Sequence, residues 1–207
     1  MKKQLINYET LLKVTKAISH SRNPEEVVLM TVDNIKTALD VKGCSVFLIN
    51  RKTDELEVAA SFGLSAEYIN KGPVSALRSI AQSLEEGPLA IYDVSDDPRI
   101  QYPDAAKKEG IVSILSVPIV AAGKVIGALR IYTSEHWEFT LEDVNFVQAM
   151  AQIAGMAIEM ARQYKGLKDS IEILKTMRDP TTLQSRKRTP YESVPVSVSA
   201  SDIGRKD

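Results

Sequence analysis

Residues 110–161 read GIVSILSVPIVAAGKVIGALRIYTSEHWEFTLEDVNFVQAMAQIAGMAIEMA, and they constrain the fold more than any other stretch of the chain. Two β-rich runs flank a short glycine turn, and a long helical pattern follows. That pattern carries two apolar stripes at 3–4 spacing, the periodicity of a helix face. The first stripe is Val144, Val147, Ala151, Ala154, Ile158 and Ala161. Its residues are mostly small, which suits close packing on a sheet. The second is Phe146, Met150, Ile153, Ala157, Met160, Tyr164, Leu167, Ile171 and Leu174. It continues over about four heptads, the length at which a coiled coil becomes a reasonable reading. The part beyond Tyr164 has no sheet left to cover. A surplus apolar stripe of this kind points to a regulatory module rather than an enzyme.

The rest of the chain supplies the other elements of an α+β layout. A first helix is expected over residues 3–19, with Leu5, Tyr8, Leu12 and Thr15 at heptad spacing. Asn23-Pro24-Glu25-Glu26 resets the chain with a cap, a proline suited to the first helical turn and a capping-box glutamate. A second helix follows to Leu39. Gly43 opens a strand in which Cys44, Val46 and Leu48 alternate with Ser45, Phe47 and Ile49. A turn at 51–54 returns the chain as LEVAASF. Ser65 is read as capping a short helix and Ser75 as capping ALRSIAQSLEE, which stops at Gly87-Pro88. LAIYDV is a short strand, and residues 103–109 form another short helix. Pro118 cannot donate to a ladder, so its part of the next strand belongs at an edge or a bulge. Thr140 and Asp143 form an N-cap pair for the long helix. From residue 179 onward the chain is rich in Ser, Thr, Pro and charge and reads as a disordered tail. Within it VPVSVSA alternates like a strand and could add to a sheet edge.

The expected fold is an antiparallel sheet of five to six strands. The N- and C-terminal helices cover one face, and a helical insert with a pocket covers the other. The expected organisation is a dimerisation helix over 1–22, a sensor domain over 23–164, a coiled-coil extension over 165–178 and the tail over 179–207.

Composition removes several classes of function. The chain has 207 residues, 26 basic and 27 acidic, and a formal net charge of -1. That balance gives no electrostatic reason to bind nucleic acid. The run Arg186-Lys187-Arg188 reads as a solvated part of the tail. No stretch of about 18 apolar residues and no signal-peptide core is present, so a cytoplasmic protein without a membrane span is expected. One cysteine, Cys44, excludes an intramolecular disulfide and a multi-cysteine metal site. No G-x-S-x-G, P-loop or H-E-x-x-H motif occurs. Glu85-Glu86 and Asp96-Asp97 are adjacent in sequence. Adjacent side chains diverge by about 100° on a helix, so neither pair is pre-arranged for acid/base work.

At this point the residues resemble the GAF family. The likeness runs from about residue 8 to 164. It is carried by 93–99 (DVSDDPR), Gly110-Ile111 with Ser113, Val117-Pro118-Ile119, 123–129 (GKVIGAL), 139–143 (FTLED), and Ala151-Gln152-Ile153-Ala154 with Ala157-Ile158-Glu159. The resemblance implies a small-molecule sensor and dimerisation module with its ligand left open. Cyclic-nucleotide-binding members carry an Asn-Lys pair after the last strand, then Phe, three residues and Asp-Glu. Phe139 and Asp143 match, but Tyr132-Thr133-Ser134 stands where Asn-Lys would, and Asn70-Lys71 lies in the insert. Bilin-binding members use a cysteine near the insert, and the sulfoxide-reducing members use several cysteines; neither pattern is present. His20 and His136 sit on segments not expected to line a pocket, which argues against haem or a metal.

No cofactor is expected, and the resemblance leaves the small-molecule ligand open. Candidate pocket residues are Phe47, Phe62, Ile80, Tyr92, Asp93, Tyr102, Ser113, Leu115 and Arg130. Arg130 stands out because a charge on an apolar strand needs a partner, either a bound anion or an acid such as Asp93. Candidate dimer-interface residues are Leu5, Leu12, Met150, Ile153, Ala157, Met160, Tyr164, Leu167, Ile171 and Leu174. A homodimer that passes its signal to a separate signalling protein is expected. The alternative is a ligand-free interaction module whose pocket is filled by its own side chains.

Overall fold

In the computed structural model the described residues are 12–13, 15–16, 23–50, 52–53, 55–72, 74–75 and 87–178. The chain falls into two units, Met1–Lys165 and Gly166–Asp207. The first holds a six-stranded sheet made of β1 (Gly43–Asn50), β2 (Glu55–Phe62), β3 (Val74–Ser75), β4 (Leu89–Ile91), β5 (Ser113–Ala121) and β6 (Lys124–Thr133). Its order is β3-β2-β1-β6-β5-β4, and every pairing is antiparallel. The helices are α1 (Pro24–Leu39), α2 (Ala66–Ile69), α3 (Pro103–Glu109) and α4 (Leu141–Arg178).

Strand alternation divides the side chains between two faces. Cys44, Val46, Leu115, Val117, Leu129 and Ile131 form one core with Val28, Val32 and Ile35 of α1 and Val147, Met150, Ala151 and Ile158 of α4. Burying each large apolar side chain contributes roughly 1.5–3 kcal/mol, so this face is the main source of stability. Burial pushes the Cys44 thiol far up, leaving it a small apolar filler rather than a nucleophile. The other face carries Tyr68, Ile91, Val94, Ala106, Ile111, Ile114 and Tyr132 under α2, α3 and their loops.

Several local expectations are met. The side chain of Ser65 accepts from the Tyr68 amide at the start of α2. Thr140 and Asp143 cap α4 reciprocally: the Thr140 amide donates to Asp143 Oδ2 at 2.9 Å, and the Asp143 amide donates to Thr140 Oγ1 at 3.2 Å. Ala122 and Gly123 make a two-residue hairpin with φ of 48° and 72°, the backbone twist that suits antiparallel strands. Pro118 lies past the part of β5 that pairs with β4, and a register shift follows between Ile119 and Val120.

Two expectations need adjustment. LAIYDV is a strand only as far as Ile91, because Tyr92 leaves the ladder. Val74–Ser75 is an edge strand against β2, a role that two residues cannot signal by periodicity. The helix expected after Ser75 and the tail from residue 179 lie outside the described residues, as do Leu5 and His20.

Both stripes of α4 turn inward over its first five turns. Phe146, Met150 and Ala157 are buried, and Ile153 is half-buried against the same core. Met150 and Ala157 are therefore covered by the chain itself and are not offered to a second copy, which corrects their assignment to an interface. The sheet and α1 wrap a wider arc of the helix than one stripe. Within the first unit Met156, Met160 and Tyr164 stay exposed. In the second unit Leu167, Ile171, Ile173, Leu174 and Met177 are exposed. Leu12, among the few described residues of the N-terminal segment, is also exposed.

Candidate ligand-binding site

The insert side of the sheet holds the one strongly polar interior of the fold among the described residues. Arg130 of β6 pairs across the ladders with Ser45 of β1 and Ser116 of β5. Directly paired residues share a face, so these three side chains point to the insert side. Arg130 is 4% exposed. Its guanidinium carbon lies 4.6 Å from the centre of the Phe47 ring, within the range of a cation–π contact. Its charge also acts on the Tyr132 hydroxyl, which accepts a hydrogen bond from Ser45 Oγ at 3.0 Å. Burial pushes the Tyr132 phenol up, against the pull of Arg130 and of the Ser45 hydroxyl.

Lys71 approaches from the insert. Its Nζ donates to the Tyr68 carbonyl at 3.0 Å and lies 3.7 Å from the Tyr68 ring centre and 6.0 Å from that of Tyr102. Burial, then the charge of Arg130, lowers the Lys71 amine to about 8, partly offset by Glu109. Tyr68 meets Tyr132 edge to face at 5.9 Å. Together Tyr68, Lys71, Val74, Ile100, Gln101, Tyr102, Ile114, Arg130 and Tyr132 enclose a cavity of about 20 Å³. That is room for about one water. Among the described residues no acid lines it, so two cations face one small space.

Of the nine pocket residues expected from sequence, Tyr102 and Arg130 line this cavity, and Phe47 supports Arg130 from β1. Leu115 is fully buried on the opposite face, in the core with α1 and α4. Ser113 shares its parity and is also diverted. Its hydroxyl donates to the Tyr92 carbonyl at 2.6 Å and accepts from the Trp137 amide at 3.0 Å, tying two loops together. The pairing of Ser116 with Arg130 puts the even-numbered residues of β5 on the insert side, which removes Ser113 and Leu115 from the pocket. Phe62 and Tyr92 are about half exposed. Tyr92 stacks on His136 at 4.8 Å. Asp93 accepts from the Ser95 amide at 2.8 Å and stands 3.8 Å from His136 Nε2, so it is not the acid that partners Arg130. Ile80 lies outside the described residues.

Tyr68, Lys71, Ile114 and Tyr132 were not anticipated. Strand parity would have found two of them: once Arg130 points inward, Tyr132 two residues on does too, and Ile114 pairs with Tyr132. Lys71 carried no such signal, because it enters from a short helix and a loop. Among the described residues no group of three potential metal ligands occurs, and no helix is long and apolar enough to cross a membrane.

Comparison with known proteins agrees with this architecture. A curated relative, the methyl sulfide methyltransferase-associated sensor of Methanosarcina acetivorans, is 25% identical over 187 residues, 86% of this chain. The chain spans only 18% of that protein's length. Among solved structures, the GAF domain of a phosphoenolpyruvate-protein phosphotransferase from Coxiella burnetii superposes with a TM-score of 0.68 at 22% identity, over 77% of this chain and 96% of that one. The free methionine-R-sulfoxide reductase of Neisseria meningitidis gives a TM-score of 0.65 at 19% identity, over 76% of this chain and 90% of that one. At these identities the structural likenesses establish the fold. The GAF domain family model matches residues 21–159, and the chain belongs to the GAF domain family.

Proposed function

We propose that this chain is a cytoplasmic sensor domain that binds a small molecule on the insert side of its sheet and acts in signal transduction as a homodimer. The observation that carries the reading is Arg130 and Lys71 facing one small cavity walled by tyrosines. The buried Arg130 and the half-buried Lys71 carry like charges that favour an anion entering between them. The domain is regulatory rather than catalytic, in keeping with a curated relative named as a sensor. Its partner is a separate signalling protein, to which occupancy is passed as a population shift. The exposed apolar side chains of α4 supply the dimer contact: Met160, Tyr164, Leu167, Ile171 and Leu174 keep heptad spacing.

A thermal-shift screen over nucleotides, small anions and amino-acid derivatives tests the pocket. Stabilisation by one class, lost in Lys71→Gln, supports the sensor. One observation favours a second reading, a ligand-free interaction module: at about 20 Å³ the cavity is nearly filled by its own side chains. Silence across every class selects that reading. For the dimer, the solution mass should be twice the chain mass at high micromolar concentration and fall to the monomer in Leu167→Glu plus Ile171→Glu. A wild-type monomer would sink the dimer.

A further inference from the structure

The chain's one cysteine is closed to oxidants. Cys44 is fully buried in the core with α1 and α4, and burial keeps its thiol protonated. Peroxides react with the thiolate, so this sulfur is sealed both sterically and chemically. The thioethers are placed differently. Four of the six methionines lie on α4, at 150, 156, 160 and 177. Met150 is fully buried, whereas Met156 and Met160 are 57% and 67% exposed. These two stand one turn apart on the same side of the helix. Met160 opens the exposed heptad series that runs through Tyr164 and Leu167, and Met156 falls at a flanking position of that heptad. We propose that Met160 is a modification site, at which a hydroperoxide forms methionine sulfoxide and thereby releases the pairing of two copies of the chain through α4. The inference rests on reading that face of α4 as the dimer contact.

The step needs only the peroxide. A sulfur lone pair of Met160 attacks the terminal oxygen of the hydroperoxide, an S–O bond forms and the O–O bond breaks. The proton of the terminal oxygen passes to the leaving oxygen, so that R-S-CH₃ + R′OOH gives R-S(O)-CH₃ + R′OH. Sulfur is oxidised by two electrons and the peroxide is reduced by two. A thioether has no proton to lose, so the step does not wait on ionisation as a thiol's does.

The product turns a flexible apolar side chain into a polar one. In the single chain Met160 lies in water, so the sulfoxide stays hydrated and the fold is undisturbed. In a dimer the same side chain must be desolvated within an apolar seam, which is costly for an S=O dipole. A two-fold dimer holds the residue twice, so the cost is doubled when both copies are oxidised. Position also separates the two exposed methionines. The seam covers Met160 but its rim leaves Met156 open. Met156 therefore reacts equally in the single and the paired chain. Met160 reacts from the single chain alone, and each sulfoxide formed draws the population further toward it.

The test treats the full chain with hydrogen peroxide at protein concentrations on both sides of the dimer transition. Peptide mass mapping locates the sulfoxides, and solution mass gives the state of association. Met160 should oxidise severalfold more slowly where the dimer dominates, Met156 at one rate throughout, and Met150 not at all. The oxidised chain should have the mass of the monomer. Met160→Leu, which keeps size and apolarity, should hold the dimer through the same treatment although Met156 is oxidised. Met160→Gln, a polar side chain of similar length, should be a monomer without peroxide. Circular dichroism confirms that each sample is folded. A dimer that persists with Met160 fully oxidised overturns the proposal and leaves the dimer reading intact, as does a Met160→Leu dimer that peroxide dissociates. Equal rates at Met160 at every concentration overturn it too. A chain that is monomeric before any peroxide is added removes the dimer reading and this inference with it.

Discussion

The guanidinium carbon of Arg130 lies over the Phe47 ring, 4.6 Å from its centre, and the two residues sit on neighbouring strands. The ring takes up the charge on one side, and the Tyr132 hydroxyl lies within reach of its field. A planar, delocalised cation fits that slot, whereas a compact ammonium does not. Arg130→Ala should cost about 2–4 kcal/mol by leaving a hole beside Phe47 in the insert-side interior. Arg130→Lys should cost less, about 1–2 kcal/mol, because charge is kept but the delocalised guanidinium over the ring is lost. Urea unfolding of both variants checks the order; equal losses would mean that planarity is irrelevant.

Gly155 and Gly166 share α4 but meet different surroundings. A Cβ on Gly155 would come 2.4 Å from the Val120 carbonyl oxygen of β5, a contact with backbone that cannot swing aside. At Gly166 nothing lies within 4 Å. Gly155→Ala should therefore destabilise by about 1–3 kcal/mol, overpacking outweighing the helix gain. Gly166→Ala should stabilise its part of the helix by up to about 1 kcal/mol. Chemical denaturation followed by circular dichroism gives both signs in one experiment.

The Glu109 carboxylate closes the gap between α3 and the start of α2. It accepts from the Ser65 amide at 3.0 Å and from the Ser65 hydroxyl, with Lys42 at 3.8 Å. Burial raises its affinity for a proton, but the Ser65 bonds and Lys42 outweigh burial and hold the carboxyl below the usual 4.5. Because the folded value is the lower one, the unfolded chain binds more protons through this window. The contribution is fully present above 4.5 and is lost as pH falls through the folded value. Glu109→Gln should flatten the acid limb of stability against pH, measured as the urea midpoint at a series of pH values. An unchanged limb would assign acid sensitivity to other carboxylates.

Lys71 makes the matching prediction on the alkaline side. Its amine falls from 10.5 in the unfolded chain to about 8 when folded. Between these values the unfolded chain again binds more protons, so stability rises with pH across the window. Below about 8 the folded chain carries the full cost of a charged, half-buried Lys71 near the Arg130 charge. Lys71→Met should remove this alkaline rise while leaving the Glu109 limb intact. A persistent rise in the variant would reassign it to another group.

The amino-acid pattern alone determined the layer architecture. Alternation in 43–50, 55–62, 113–121 and 124–133, the turn at Ala122-Gly123 and the cap at Thr140-Asp143 are local signals, and each carries its own physical cause. The family resemblance was legible for the same reason, since its motifs are turns, caps and strand ends. Arg130 was legible as an anomaly on an apolar strand.

The face that Arg130 points to was not legible, because parity becomes a direction only when register is known. Tertiary pairing of Ser116 with Arg130 decided it, placing Tyr132 and Ile114 in the site and Leu115 in the opposite core. Lys71 reaches the cavity only because α2 folds over the sheet, a long-range event with no sequence period. The two stripes of α4 showed the same limit. Spacing marked both as apolar, but the curvature of sheet and α1 decided that Met150 and Ala157 are core while Met160 and Tyr164 stay in water. Periodicity belongs to one element, and burial belongs to the surfaces that several elements make together.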